Sequence, residues 1–119
     1  MKITGDAKLL RIFVGESDRV HGKSLYEAIV HTAHEIGLAG ATVWRGIEGF
    51  GAGSRIHTAK VLRLSEDLPI IIEIVDTEEK ITAALPALDD LIEESGGGGL
   101  VTLEKAEIIK HTHGTKPRG

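Results

Sequence analysis

The chain contains no cysteine. A disulfide framework, a thiolate metal site and a cysteine nucleophile are therefore excluded. Aromatic residues make up only 3% of the 119 positions, which leaves little for stacking nucleobases. There is no excess of basic charge either: the formal net charge is −4, against a nucleic-acid partner. No apolar run approaches the roughly 20 residues of a membrane helix. The first six residues, Met1 to Asp6, carry no signal-peptide core. A cytoplasmic protein is the expectation. What remains is ordinary for one soluble globular domain, with 41% hydrophobic and 27% charged residues. Glycine is the surplus, at 15 residues, and it concentrates in loops.

Ala7 to Val14 reads as a strand, with Leu10, Ile12 and Val14 on one face and Leu9, Arg11 and Phe13 on the other. Gly15 to Gly22 is a polar connection. Ser24 to Ile36 reads as a helix, with Leu25, Ile29, Ala33 and Ile36 at helical spacing and Gly37 as its stop. Ala39 to Arg45 is a second strand, rich in β-favouring Thr42, Val43 and Trp44. Gly46 to Ser54 follows, with four glycines, at 46, 49, 51 and 53. Thr58 to Leu64 alternates as a strand or extended arm. Ile70 to Val75, a β-branched run, is expected at the centre of the sheet. Asp76 and Glu79 suit a capping box for a second helix reaching about Glu94, which Pro86 is expected to kink or divide. Four glycines after Ser95 end that helix. Leu100 to Lys110 contains a last strand, placed at Ala106 to Lys110.

This order is the double split-βαβ pattern of an α+β, ferredoxin-like βαββαβ sandwich, with an extra strand-like segment or long loop after the second strand. Two helices cover one face of such a sheet. The strands carry apolar residues on both faces, so a second copy of the chain is the simplest cover for the other.

Several stretches now fit together: Gly49-Phe50-Gly51 after the second strand, the long polar excursion, Leu68-Pro69 entering Ile-Ile-Ile-Glu-Ile-Val, the capped helix and the glycine-rich loop. Together they resemble the nitrogen-regulatory PII signalling superfamily over residues 7–111. Leu-Arg-Ile-Phe-Val-Gly-Glu, His-Gly-Lys-Ser-Leu-Tyr-Glu-Ala-Ile-Val, Gly-Ala-Thr-Val-Trp-Arg-Gly-Ile-Glu-Gly-Phe-Gly and Ser-Arg-Ile-His-Thr-Ala-Lys resemble, more closely, an uncharacterised PII-like family. The resemblance implies a single PII-like domain over residues 1–119, with a flexible tail from 112, assembled as a homotrimer around open sheet faces. It implies no established enzyme activity. The effector it implies is an adenine nucleotide (AMP, ADP or ATP) or another small anion, bound in clefts between subunits. A mobile loop at about 46–67 would report to a partner protein, often a membrane transporter or channel. The chain departs from true PII proteins in the extra Gly46-Ile47-Glu48, in Gly-Gly-Gly-Gly-Leu-Val where PII has Gly-Asp-Gly-Lys, and in having no tyrosine in the excursion.

The candidate ligand residues are Arg45, Gly46, Gly49, Phe50, Gly51, Ser54, Arg55, His57, Gly97, Gly98 and Gly99. Glycines expose backbone N–H groups and arginines offer paired donors to phosphate. The plainer reading is a hairpin tip and a helix stop that need glycine for their turns. His57 sits where it can hydrogen-bond a ligand or titrate near neutral pH. The helix start at His21 to Tyr26 is a weaker anion candidate, with Ser24 or its neighbour as a plain cap. His31 with His34, and His111 with His113, have chelating spacings but no obvious third ligand. The acids Glu66, Asp67, Asp76, Glu78, Glu79, Asp89, Asp90, Glu93 and Glu94 read as a solvated turn, helix start and helix face. Two other functions stand as alternatives, the first of them in the same cleft. One is a small trimeric enzyme with Arg55 as electrophile and His57 as acid/base. The other is a metal-binding protein like the copper-tolerance relatives of PII, against which the lack of Cys and the single Met argue.

Overall fold

The computed structural model describes residues 5–50, 57–58, 67–112 and 114–115. Its elements in chain order are β1 (Gly5–Gly15), β2 (Arg19–Val20), β3 (Lys23–Ser24), α1 (Leu25–Ile36), β4 (Thr42–Arg45), β5 (Glu48–Gly49), β6 (His57–Thr58), β7 (Pro69–Asp76), α2 (Glu78–Ser95) and β8 (Leu100–Ile108). Four of the strands form one antiparallel sheet in the order β4-β7-β1-β8. The helices connect strands that are not neighbours, so each βαβ unit is split by a strand of the other. This is the ferredoxin-like arrangement, and the run 70–75 lies inside it.

The alternation read along β1 holds. Leu10, Ile12 and Val14 are buried, as are Ile70, Ile72 and Ile74 of β7 beside them. Leu25, Ala28, Ile29 and Ala33 of α1 and Ile81, Ala84, Leu88 and Ile92 of α2 close over that face. Ile36, one of the residues at helical spacing, is 43% exposed, beyond the covered stripe. Gly37 terminates α1 with φ of 96°, its N–H reaching His34 O, where a Cβ would be strained.

Several local expectations are corrected. The second strand begins at Thr42 and the last spans Leu100–Ile108, because pairing with β1 extends from Phe13↔Leu100 to Gly5↔Ile108. Pro86 does not divide α2, which runs from Glu78 to Ser95. The cap of α2 is Thr77, whose hydroxyl accepts the Lys80 N–H; Asp76 is fully buried. Ser24 stands at the N-cap of α1 without a side-chain hydrogen bond. The polar connection contains a short hairpin, β2–β3, turned at His21 and Gly22, both with positive φ. Of the alternating segment 58–64, only Thr58 lies among the described residues.

The opposite sheet face stands largely open. Cross-strand register places Trp44, Ile71, Phe13 and Leu100 in one row and Thr42, Glu73, Arg11 and Thr102 in the next. Trp44 and Leu100 are each more than half exposed. The polar row is internally paired. Arg11 Nε donates to Glu73 Oε2 at 2.8 Å, Trp44 Nε1 donates to Glu73 Oε1 at 2.9 Å, and Arg11 also pairs with Glu104. The Arg11 hydrogen bond, aided by that of Trp44, holds the Glu73 carboxyl below its usual range, and Glu73 in turn raises Arg11.

Candidate functional site

The C-terminal ends of β4 and β1 and the N-terminal ends of β7 and β8 share one end of the sheet. The described ligand candidates gather there. Arg45 closes β4. Gly46 follows, its N–H donating to Pro69 O at 2.7 Å. A Cβ on Gly46 would lie 2.6 Å from Pro69 Cγ, so the outgoing arm passes the returning strand only as glycine. Gly49 pairs with His57 through β5 and β6, which makes the root of the excursion a two-stranded ribbon. Ile47 and Phe50 are 77% and 71% exposed on it. Gly51, Ser54, Arg55 and the side chain of His57 lie outside the described residues.

The second glycine loop starts from α2. Gly96 takes φ of 73° and Gly98 φ of 74°. A Cβ on Gly99 would sit 3.0 Å from Phe13 O, so glycine lets this loop lie against β1. The Gly97 N–H donates to Ser95 Oγ at 3.2 Å. Gly97 also packs against the Asp18 carboxylate, 2.6 Å from where its Cβ would be.

Sequence reasoning missed the turn between β1 and β2 and treated it as a plain connection. Its residues touch the end of β4, the return into β7 and the second glycine loop. The Glu16 N–H donates to Leu68 O at 2.8 Å, and the Ser17 N–H donates to Asp67 Oδ1 at 2.7 Å. The Gly15 N–H donates to Asp18 Oδ2 at 2.9 Å, and the Glu16 carboxylate pairs with the Arg45 guanidinium. A signal was present in Gly15-Glu16-Ser17-Asp18, glycine followed by side chains that accept backbone N–H bonds nearby. Asp67 and Asp76, read as solvated acids, are structural acceptors. Asp67 holds Ser17, and buried Asp76 accepts the N–H groups of Ala39 at 2.9 Å and Thr77 at 2.7 Å.

The two glycine loops do not face one another within one chain. Arg45 ends one edge strand and Gly99 precedes the other, with β7 and β1 between them. Three strand spacings separate these edges by roughly 14 Å. His31 and His34 lie elsewhere. They line a concavity of about 450 Å³ with Glu35 and the segment from Leu38 to Ala41, at the opposite end of β4 from Arg45. Among the described residues, no group of three or more His, Asp or Glu side chains is placed to hold a metal ion. No described helix is long and apolar enough to cross a membrane.

Known structures share this arrangement. CPII, a nitrogen regulatory PII-like protein from Thiomonas intermedia K12 solved with ADP, AMP and bicarbonate, superposes with a TM-score of 0.66. It is 17% identical, over 91% of each chain. A putative PII-like signaling protein from Thermus thermophilus gives 0.62 at 18% identity, over 88% of this chain and 91% of that one. Similarity in sequence is stronger to the UPF0166 protein of Aquifex aeolicus, 43% identical over 86% of this chain and 92% of the relative. The UPF0166 protein of Methanocaldococcus jannaschii is 40% identical, over 87% and 93%. Residues 7–108 match the DUF190 family, described as an uncharacterized ACR. With residues 7–108 matching the family model and relatives of this kind, the chain, whose fold is PII-like, belongs to the DUF190 (UPF0166) family.

Proposed function

We propose that the protein is a PII-like regulatory protein that binds an adenine nucleotide in clefts between the subunits of a homotrimer. The observation that carries this reading is the separation of the two glycine loops to opposite edges of one sheet end. With the loops at opposite edges, a ligand lying between two chains can take one loop from each. The open sheet face, with its Trp44–Ile71–Phe13–Leu100 row, supplies an apolar surface for that assembly. CPII, solved with ADP and AMP, supports the choice of ligand class.

In this reading Arg45, and Arg55 beyond the ribbon, contact the phosphates, with the glycines allowing close approach of the backbone. Gly97, Gly98 and Gly99 of the neighbouring subunit close the cleft. The excursion at 46–67 changes order on binding and carries the signal to a partner protein, a membrane transporter or channel being one class. Ligand binding free energy then offsets the entropy of ordering that segment. Turnover is not part of the reading.

The test is calorimetric titration with ADP, with the assembly weighed by light scattering. A charge-assisted contact contributes about 1.5–3 kcal/mol. Arg45→Ala or Arg55→Ala is therefore expected to weaken ADP at least about tenfold while the trimer persists. A monomeric wild type, or ADP binding untouched by both substitutions, overturns the proposal.

A further inference from the structure

The turn that sequence reasoning passed over bears on how the Arg45 site discriminates. The backbone of Glu16 is anchored by its N–H bond to Leu68 O, and the next residue by the bond to Asp67. Its carboxylate is thus delivered to Arg45 by a fixed scaffold. The Glu16 side chain is 27% exposed and that of Arg45 is 59% exposed, so the acid is the more enclosed partner and the guanidinium keeps an open side. A carboxylate and a phosphate present the same kind of paired oxygens to a guanidinium. The group already on Arg45 therefore has the chemistry of the ligand assigned to it.

We infer that Glu16 is a built-in competitor for anions at Arg45, and that it sets how strongly the site holds a phosphate. This rests on the reading of Arg45 as a phosphate contact. An incoming phosphate has two routes. It displaces Glu16 from the guanidinium, or it joins the same cation beside a fixed negative charge. Either route subtracts from affinity, by about two- to five-fold for a pair as exposed as this one. The effect is electrostatic, so salt weakens it. Displacement also releases a side-chain tie between the end of β4 and the turn that holds Asp67 and Leu68. Ligand occupancy and the root of the excursion are thereby joined through one ion pair.

The experiment titrates ADP by calorimetry into wild type, Glu16→Gln, Glu16→Ala and Arg45→Ala, at about 0.05 M and about 0.5 M salt. Expected is two- to five-fold tighter binding of ADP by both Glu16 variants at low salt, with the gain shrinking toward none at high salt. Unchanged or weaker binding in the Glu16 variants, where Arg45→Ala does weaken ADP, overturns the competitor role and leaves the site standing. A gain that survives high salt also overturns it, because lost packing rather than lost charge is then responsible. Wild-type affinity in Arg45→Ala removes the phosphate contact itself, and the competitor with it. Two Glu16 variants of different shape guard against a folding defect in one of them.

Discussion

Asp76 offers the sharpest check on the packing described above. Its side chain is fully buried, and one carboxylate accepts two backbone N–H groups, those of Ala39 at 2.9 Å and Thr77 at 2.7 Å. It therefore ties the connection after α1 to the junction between β7 and α2. Hydrogen bonds to a charged group contribute about 1.5–3 kcal/mol each. Ala39 is exposed and regains water when its acceptor is lost, so the two bonds do not count in full. Asp76→Ala is accordingly expected to cost about 2–4 kcal/mol. Thr77→Ala removes a cap whose hydrogen bond is 3.3 Å long and is expected to cost about 1 kcal/mol or less. At roughly 4 °C per kcal/mol for a chain of this size, the melting temperatures differ clearly. Asp76→Asn falls between, since it keeps one acceptor oxygen and turns an NH2 toward the other donor. The assay is thermal unfolding at one fixed protein concentration, because the proposed assembly would make Tm concentration-dependent. If Thr77→Ala is the more damaging substitution, Asp76 is an ordinary helix cap and the tie to Ala39 carries no stability.

Gly97→Ala places a Cβ against the Asp18 carboxylate, which the Gly15 N–H holds in place, and is expected to cost about 1–3 kcal/mol. In an Asp18→Ala background that cost should largely vanish. Equal costs in both backgrounds, by chemical denaturation, would show that the two residues do not press on each other. Glu73 has its carboxyl pKa lowered, first by the Arg11 hydrogen bond and then by that of Trp44. Its charged form is favoured by the fold, so this stabilisation is complete above the ordinary value of 4.5 and is lost as pH falls through the folded value. Glu73→Gln should be less stable than wild type at pH 7, and the two stability curves should converge in acid. An undiminished gap at pH 3 would refute the assignment.

The fold class, the alternation of the strands and the two glycine loops were legible in the sequence alone, whereas which strand face the helices cover was not. Alternation along 7–14 and 70–75, helical spacing from Leu25 to Ala33, and Gly37 and Gly96 as stops are local properties. They follow from side-chain period and backbone sterics and need no knowledge of neighbours. The elements that were misread are those whose extent depends on a partner. The strand Leu100–Ile108 begins earlier than its composition suggests because β1 supplies hydrogen bonds along its whole length. Pro86 is accommodated in a helix that packing holds together. Asp76 gives up the cap position because a donor 37 residues away claims its carboxylate. The same distinction runs through the candidate site. Arg45 and the glycines stood out in the sequence by residue type. Their placement on opposite edges of one sheet end, and the service of Glu16, Ser17 and Asp18 to both loops, follow from strand order. These emerge with the three-dimensional arrangement, because they join residues that are far apart along the chain and carry no local signature of their meeting.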